Sequence, residues 1–162
     1  MSTTDHTAPE QARSSGATSQ HSPRVSAQRP NWWQAIVLGV VAATVVNLLI
    51  LVIGRAAGAS FEVIDAGAVH PVNAGGVITS SVAPMAIGTV LAVLLGLWWP
   101  GFVRLAQVVG AGLALLTVAG PLMSDTDTGT QVALSAMHVV VGVAVVLCLQ
   151  PVWRWAKARR AS

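Results

Sequence analysis

From residue 33 onward the chain alternates long apolar runs with short polar breaks. The runs cover residues 33–54, 78–99, 103–123 and 130–150. Each holds roughly 20 residues, and at about 1.5 Å of rise per residue a helix of that length crosses a hydrocarbon core of about 30 Å. None contains Asp, Glu or Lys, and the one Arg within them, Arg104, stands at the start of the third run, where its stem reaches the interface. The pattern predicts four transmembrane helices. Pro84 interrupts the second and Pro121 lies near the end of the third.

The first 31 residues read differently. They are rich in Ser, Thr, Gln, Pro and Ala, with no apolar face to offset the entropy of ordering, so a disordered tail is expected. The small residues Ala56–Ser60 suit signal-peptide cleavage. The preceding run, however, exceeds the about 7–15 apolar residues of a signal sequence, and a long polar tail stands before it. The organisation is then a tail over 1–31, a four-span domain over 32–155 and a basic tail over 156–162.

Composition supports this reading. The chain is 54% hydrophobic and 9% charged, whereas soluble domains carry about 25% charged residues. A net charge of +3 raises the question of nucleic acid. The basic residues flank the apolar runs instead of forming one soluble face, and nucleic acid is not an expected partner. The single cysteine, Cys148, excludes an intrachain disulfide.

Lys and Arg set the orientation. Of nine, Arg13, Arg24, Arg29, Arg104, Arg154, Lys157, Arg159 and Arg160 fall on one side of the four spans and only Arg55 on the other. The positive-inside rule places both termini in the cytoplasm of a cell whose plasma membrane the protein crosses. All six tryptophans, Trp32, Trp33, Trp98, Trp99, Trp153 and Trp155, fall at the same face, a one-sided aromatic belt.

Lipid supplies no hydrophobic drive for helix association, so close approach through small residues matters. Such residues recur every fourth position: Ala35, Gly39 and Ala43, continued by Asn47; Gly88, Ala92 and Gly96 after Pro84; and Ala106, Gly110 and Ala114. On the fourth span Gly142 shares a face with His138. These rows are expected to face other helices. The fold class is all-α, an integral membrane four-helix bundle with a disordered N-terminal tail. The longer connection, residues 55–77, fits either an interfacial half-helix or a capping loop. Asp127 or Thr128 is the expected N-cap of the fourth span.

One layer could carry chemistry. His138, Asn47, Thr117 and Thr89 each place a polar group in the outer half of the bilayer, and Glu62, Asp65, His70, Asp125 and Asp127 stand above them as a candidate outer mouth. Two readings compete for His138. Neutral His, Asn and Thr bond across helices, while an ionisable group within a membrane is a functional candidate. No compact ligand spacing such as H-x-x-x-H or C-x-x-C is present, so neither a metal nor another cofactor is expected. No phosphate loop, nucleophile motif or intramembrane acidic pair appears, so no enzyme is expected either.

The stretches "MAIGTVLAVLL" on the second span and "SAMHVVVG" on the fourth, the latter entered by "DTDTGT", resemble an uncharacterised family of small bacterial four-span membrane proteins, a domain of unknown function. The resemblance covers about Trp32–Trp155, with the Met137–His138 pair as its most specific element. It implies the four-span architecture and no activity. The expected function is that of a structural, accessory or interaction protein. Its partners are the lipid bilayer and either a second copy or another membrane protein. The alternative is a subunit of a small-solute or proton-linked transporter or channel that uses the polar layer.

Overall fold

The computed structural model describes residues 31–65 and 67–161. The tail expected to be disordered, apart from Asn31, lies outside them. The first run forms α1, Trp32–Ala56. It ends in a Schellman closure: Ala59 N–H donates to the Gly54 carbonyl and Gly58 N–H to that of Arg55. Gly58 takes φ +92°, a conformation that favours glycine. The second run forms α2, Ala74–Trp98, whose N-cap Asn73 accepts from Gly76 N–H at 2.8 Å. The third is α3, Gly101–Leu116, followed by the short α4, Ala119–Met123, and the two together make one span. The break has a local cause. Pro121 has no N–H to give the Thr117 carbonyl, and Gly120 N–H bonds it instead at 3.2 Å in a tighter turn. The fourth run is α5, Thr128–Ala161.

All four spans are long and apolar enough to cross a membrane. Their outward faces carry Leu38 and Ile53 on α1, Leu91 on α2, Val108 on α3 and Leu147 on α5, each more than half exposed. In water such a surface would drive aggregation; hydrocarbon solvates it.

Residues 62–71 differ from both expected forms. Glu62–Asp65 is a strand, β1, paired antiparallel with β2, Ala68–Pro71, in the register Glu62 opposite Pro71 and Val63 opposite His70. Gly67, at φ +81°, serves the turn. The hairpin is pinned to the start of α5. Thr126 donates to the Glu62 carbonyl at 2.6 Å, and Ile64 bridges Asp125.

Small residues let α5 approach its neighbours. A Cβ on Gly39 would lie 1.9 Å from Cys148 Sγ, and one on Gly110 2.8 Å from Val145 Cγ1. Gly142 lies against Ala114. The rows on α1 and α3 therefore face α5. The row on α2 divides. Ala92 and Gly96 are buried, whereas a Cβ on Gly88 would meet nothing within 4 Å.

Helix α5 runs past the expected end of its span and through Pro151. Where the proline disturbs the ladder, Gln107 of α3, 3% exposed, donates to the Val146 carbonyl at 2.9 Å and to Gln150 Oε1 at 3.2 Å. Beyond it the tryptophans gather. Trp32 lies 5.1 Å from Trp155 between ring centroids, and the Arg104 guanidinium stands 4.3 Å over Trp153. Arg160 donates to the Trp98 carbonyl.

Candidate functional site

A cavity of about 440 Å³ runs along the bundle from Val72 and Gly76 at the hairpin end to Ala106 and Leu149 toward the tryptophan end, within the roughly 300–1,000 Å³ range of small-molecule sites. It exists because α2 and α3, held close at the tryptophan end by the turn at Trp99 and Pro100, leave a space that no side chain fills. Gly76, Ser80, Pro84 and Gly88 of α2, spaced by four and all exposed, form one lip. Leu113 and Thr117 form the other. The back wall is Met137, His138 and Val141 of α5 with Asn47 of α1. Toward the tryptophan end the cavity stops at a tightly packed cluster of Ala92, Val103, Leu149, Val152 and Ala156, each at most 4% exposed. The space is blind at that end. No Asp, Glu, Lys or Arg lines it.

All four residues of the expected polar layer, Asn47, Thr89, Thr117 and His138, line this cavity. Their hydrogen bonds separate them. Thr89 donates to the Met85 carbonyl at 2.5 Å and exposed Thr117 to that of Ala114 at 2.9 Å, so both hydroxyl protons are spent on their own helix. His138 Nδ1 lies 2.7 Å from the Leu134 carbonyl four residues back on α5. The sequence suggested a bond to a neighbouring helix. A carbonyl accepts only, so Nδ1 carries the proton and Nε2 is left as an acceptor in the neutral ring. Asn47 does bond across helices: its Nδ2 donates to Ser81 Oγ of α2 at 2.9 Å, and both side chains are 2% exposed. Bonds of this kind contribute on average about 0.6 kcal/mol in a membrane. Asn47 Oδ1 has no partner. The other buried unpartnered side-chain oxygen among the described residues, Ser135 Oγ, is not part of the lining.

Ser81 and Ser80 are site residues that the hydropathy pattern hides, since they stand at the entry of an apolar run. A signal was present: Val77, Ser81, Met85 and Thr89 recur every fourth residue, so Ser81 shares the buried face of Thr89.

The expected outer mouth does not surround the cavity. Glu62 lies on β1 and exposed His70 on β2, with Asp125 bridging Ile64; Asp65 ends β1. Glu62, His70 and Asp125 do not line the space, which Val72 reaches from the residues between β2 and α2. The reason is that the hairpin folds onto the N-terminus of α5. Among the described residues no three His, Cys, Asp or Glu side chains form a group able to hold a metal ion.

Asp127 is a latch. As N-cap of α5 its Oδ1 accepts from Thr130 N–H at 2.9 Å, while its Oδ2 accepts from Thr130 Oγ1 at 2.6 Å and from Ser60 Oγ at 2.5 Å. The Ser60 and Thr130 hydroxyls hold its carboxyl well below the usual carboxylate range. A lowered pKa means that the stabilisation is complete above the ordinary value of 3.8 and is withdrawn as the pH falls below it. Asp127→Asn is therefore expected to unfold more readily than the native chain at pH 7, with the difference shrinking in strong acid. Amide exchange at Ser60 and Thr130 across pH would read this; a difference constant down to the lowest pH would exclude the latch.

A family model described as a family of unknown function, DUF6069, matches residues 27–154. No curated protein and no solved structure matches the chain significantly.

Proposed function

We propose that this chain, which belongs to the DUF6069 family of unknown function, is a non-enzymatic accessory protein of the plasma membrane that binds an apolar molecule taken from the surrounding lipid. Eight of its nine Lys and Arg residues favour a topology with both termini in the cytoplasm, which puts the Val72 and Gly76 end of the cavity toward the outer leaflet.

The observation that carries the reading is a preformed, uncharged cavity that is open at its α2 and α3 lips and closed by packed side chains at one end. A conduit needs a polar path across the whole bilayer, and the buried cluster of Val103, Leu149 and Val152 stands in the way within one copy. Catalysis is disfavoured as well. His138 is the one titratable group in the lining, with no carboxylate, lysine or cysteine beside it there.

Gly88 supplies the test, because it stands on the cavity lip and an added Cβ there meets nothing within 4 Å, so a larger side chain has room to enter the space. Native mass spectrometry of the protein released from lipid nanodiscs should find about one retained molecule per chain, lost in Gly88→Phe while the thermal transition is kept. Equal retention by both would identify the molecule as surface lipid and defeat the reading.

A further inference from the structure

The polar groups facing the cavity narrow what it accepts. Asn47 is 2% exposed and its Oδ1 has no partner. Leaving such a group unpaired costs about 1–3 kcal/mol. His138, whose Nε2 is the acceptor of the neutral ring, lines the same space from α5. Ser81 Oγ accepts from Asn47 and keeps its own proton free to donate. Two acceptors and one free hydroxyl proton therefore sit in an uncharged enclosure whose other hydroxyls, on Ser80, Thr89 and Thr117, donate to their own helices.

We propose that Asn47, Ser81 and His138 form a headgroup site for a neutral, hydroxyl-bearing amphiphile whose chain lies along the apolar lining and leaves between α2 and α3. This rests on the reading of the cavity as a binding site for a molecule from the lipid and specifies its chemical class.

Three observations select that class. A hydroxyl donates to His138 Nε2, or to Asn47 Oδ1 once that amide, closed over by its neighbours in this structure, swings toward the cavity, and accepts from Ser81. Were the Asn47 amide turned over, the same hydroxyl would accept from its Nδ2, so either orientation is satisfied. A charged head is excluded because no Asp, Glu, Lys or Arg lines the cavity to pair with it, and burying an unpaired charge costs far more than burying a hydroxyl. An alkyl chain alone is a poor occupant because it leaves the Asn47 oxygen unsatisfied. The lips fit an entering chain. Gly76, Ser80, Pro84 and Gly88 present little side-chain bulk, and the cavity volume of about 440 Å³ admits one chain, not a full two-chain phospholipid.

The probes are 1-monolaurin and its dimethyl ether, which share chain and ester and differ by a methyl group in place of each hydroxyl proton, with propyl laurate, which lacks both hydroxyls and adds no bulk, as the control for size. Affinities are read by tryptophan-independent titration calorimetry on the full chain in nanodiscs. Native protein should bind monolaurin at least about tenfold more tightly than the ether or propyl laurate, equivalent to about 1.4 kcal/mol. That preference should fall to near one in Asn47→Leu. His138→Phe, which leaves the bond between α1 and α2 in place, should also reduce it, and this variant decides the matter if Asn47→Leu fails to fold. Equal binding of both probes overturns the headgroup assignment and leaves the apolar binding site standing. A preference that survives in both variants assigns the hydroxyl to other residues and also overturns it. Binding of neither probe defeats the headgroup site and, together with no retained molecule in native protein, the binding function beneath it.

Discussion

Replacing Phe61 with alanine is expected to cost about 3–5 kcal/mol of stability, the loss typical of truncating a buried aromatic ring. Phe61 is 0% exposed and packs with Leu51, Val77, Ala133 and Met137, joining α1, α2 and α5 to the hairpin connection. Its ring fills the space beside Gly54, where an added Cβ would come within 2.7 Å of it. The backbone there is strained. Phe61 has φ +53°, a conformation that L-residues adopt at a cost and glycine adopts freely. It is held by a bond from its N–H to Thr130 Oγ1 at 2.9 Å and another from Val72 N–H to its carbonyl at 2.7 Å. Two variants separate these effects. Phe61→Ala loses the ring and keeps the strain; Phe61→Gly loses the ring and relieves it. Phe61→Gly should therefore be the more stable of the two by about 1 kcal/mol, against the usual order in ordinary backbone. Thermal unfolding in detergent micelles compares them, and Phe61→Ala matching or exceeding Phe61→Gly would show that the left-handed conformation carries no cost.

The second large effect belongs to Gly39. Alanine normally improves a helix relative to glycine by about 0.5–1 kcal/mol. At Gly39 its Cβ would fall 1.9 Å from Cys148 Sγ. Cys148 is 3% exposed and packed with Ala43 and Met85, so its sulfur has little room to turn away. Overpacking of this kind costs about 1–3 kcal/mol, and it outweighs the helix gain. Gly39→Ala should destabilise the native chain. In a Cys148→Ala background the same change should become neutral or stabilising, because the atom it strikes is gone. A double-mutant cycle measures the coupling, expected at about 1–3 kcal/mol. Additive effects would mean that α1 and α5 do not meet through this pair.

These two positions differ in how far they could be read from the chain. Gly39 belongs to a row of small residues spaced by four, and the need for close approach in lipid makes such a row face another helix. Which helix it faces, and which atom stands opposite, depends on a residue more than a hundred positions away. Phe61 carries no local mark. Its left-handed backbone results from the chain leaving α1 through a glycine closure and turning at once into a strand. The hairpin itself was partly legible, since Phe61–Asp65 and Ala68–Val72 are two runs with β-branched residues on either side of a glycine. Their short length and apolar content left a half-helix or a loop equally open.

The polar layer divides in the same way. Depth along a span is a count of residues, so the sequence alone could place Asn47, Thr117 and His138 toward the hairpin end of their helices, whereas Thr89 stands past the middle of α2, which runs from Ala74 to Trp98. The sequence also determined the four spans, because the thickness of hydrocarbon and the rise of a helix leave no other way to solvate runs of this length and composition. Rotation about each helix axis and the separation of neighbours are set by packing between distant segments. Only the tertiary structure decided that α2 and α3 part to leave a cavity, that His138 bonds its own helix, and that Ser81 meets Asn47. It also decided that Asp127 latches the start of α5 to Ser60 instead of standing in a ring around an entrance. Hydrocarbon sets how far each helix must reach; the shapes of facing side chains set what lies between them.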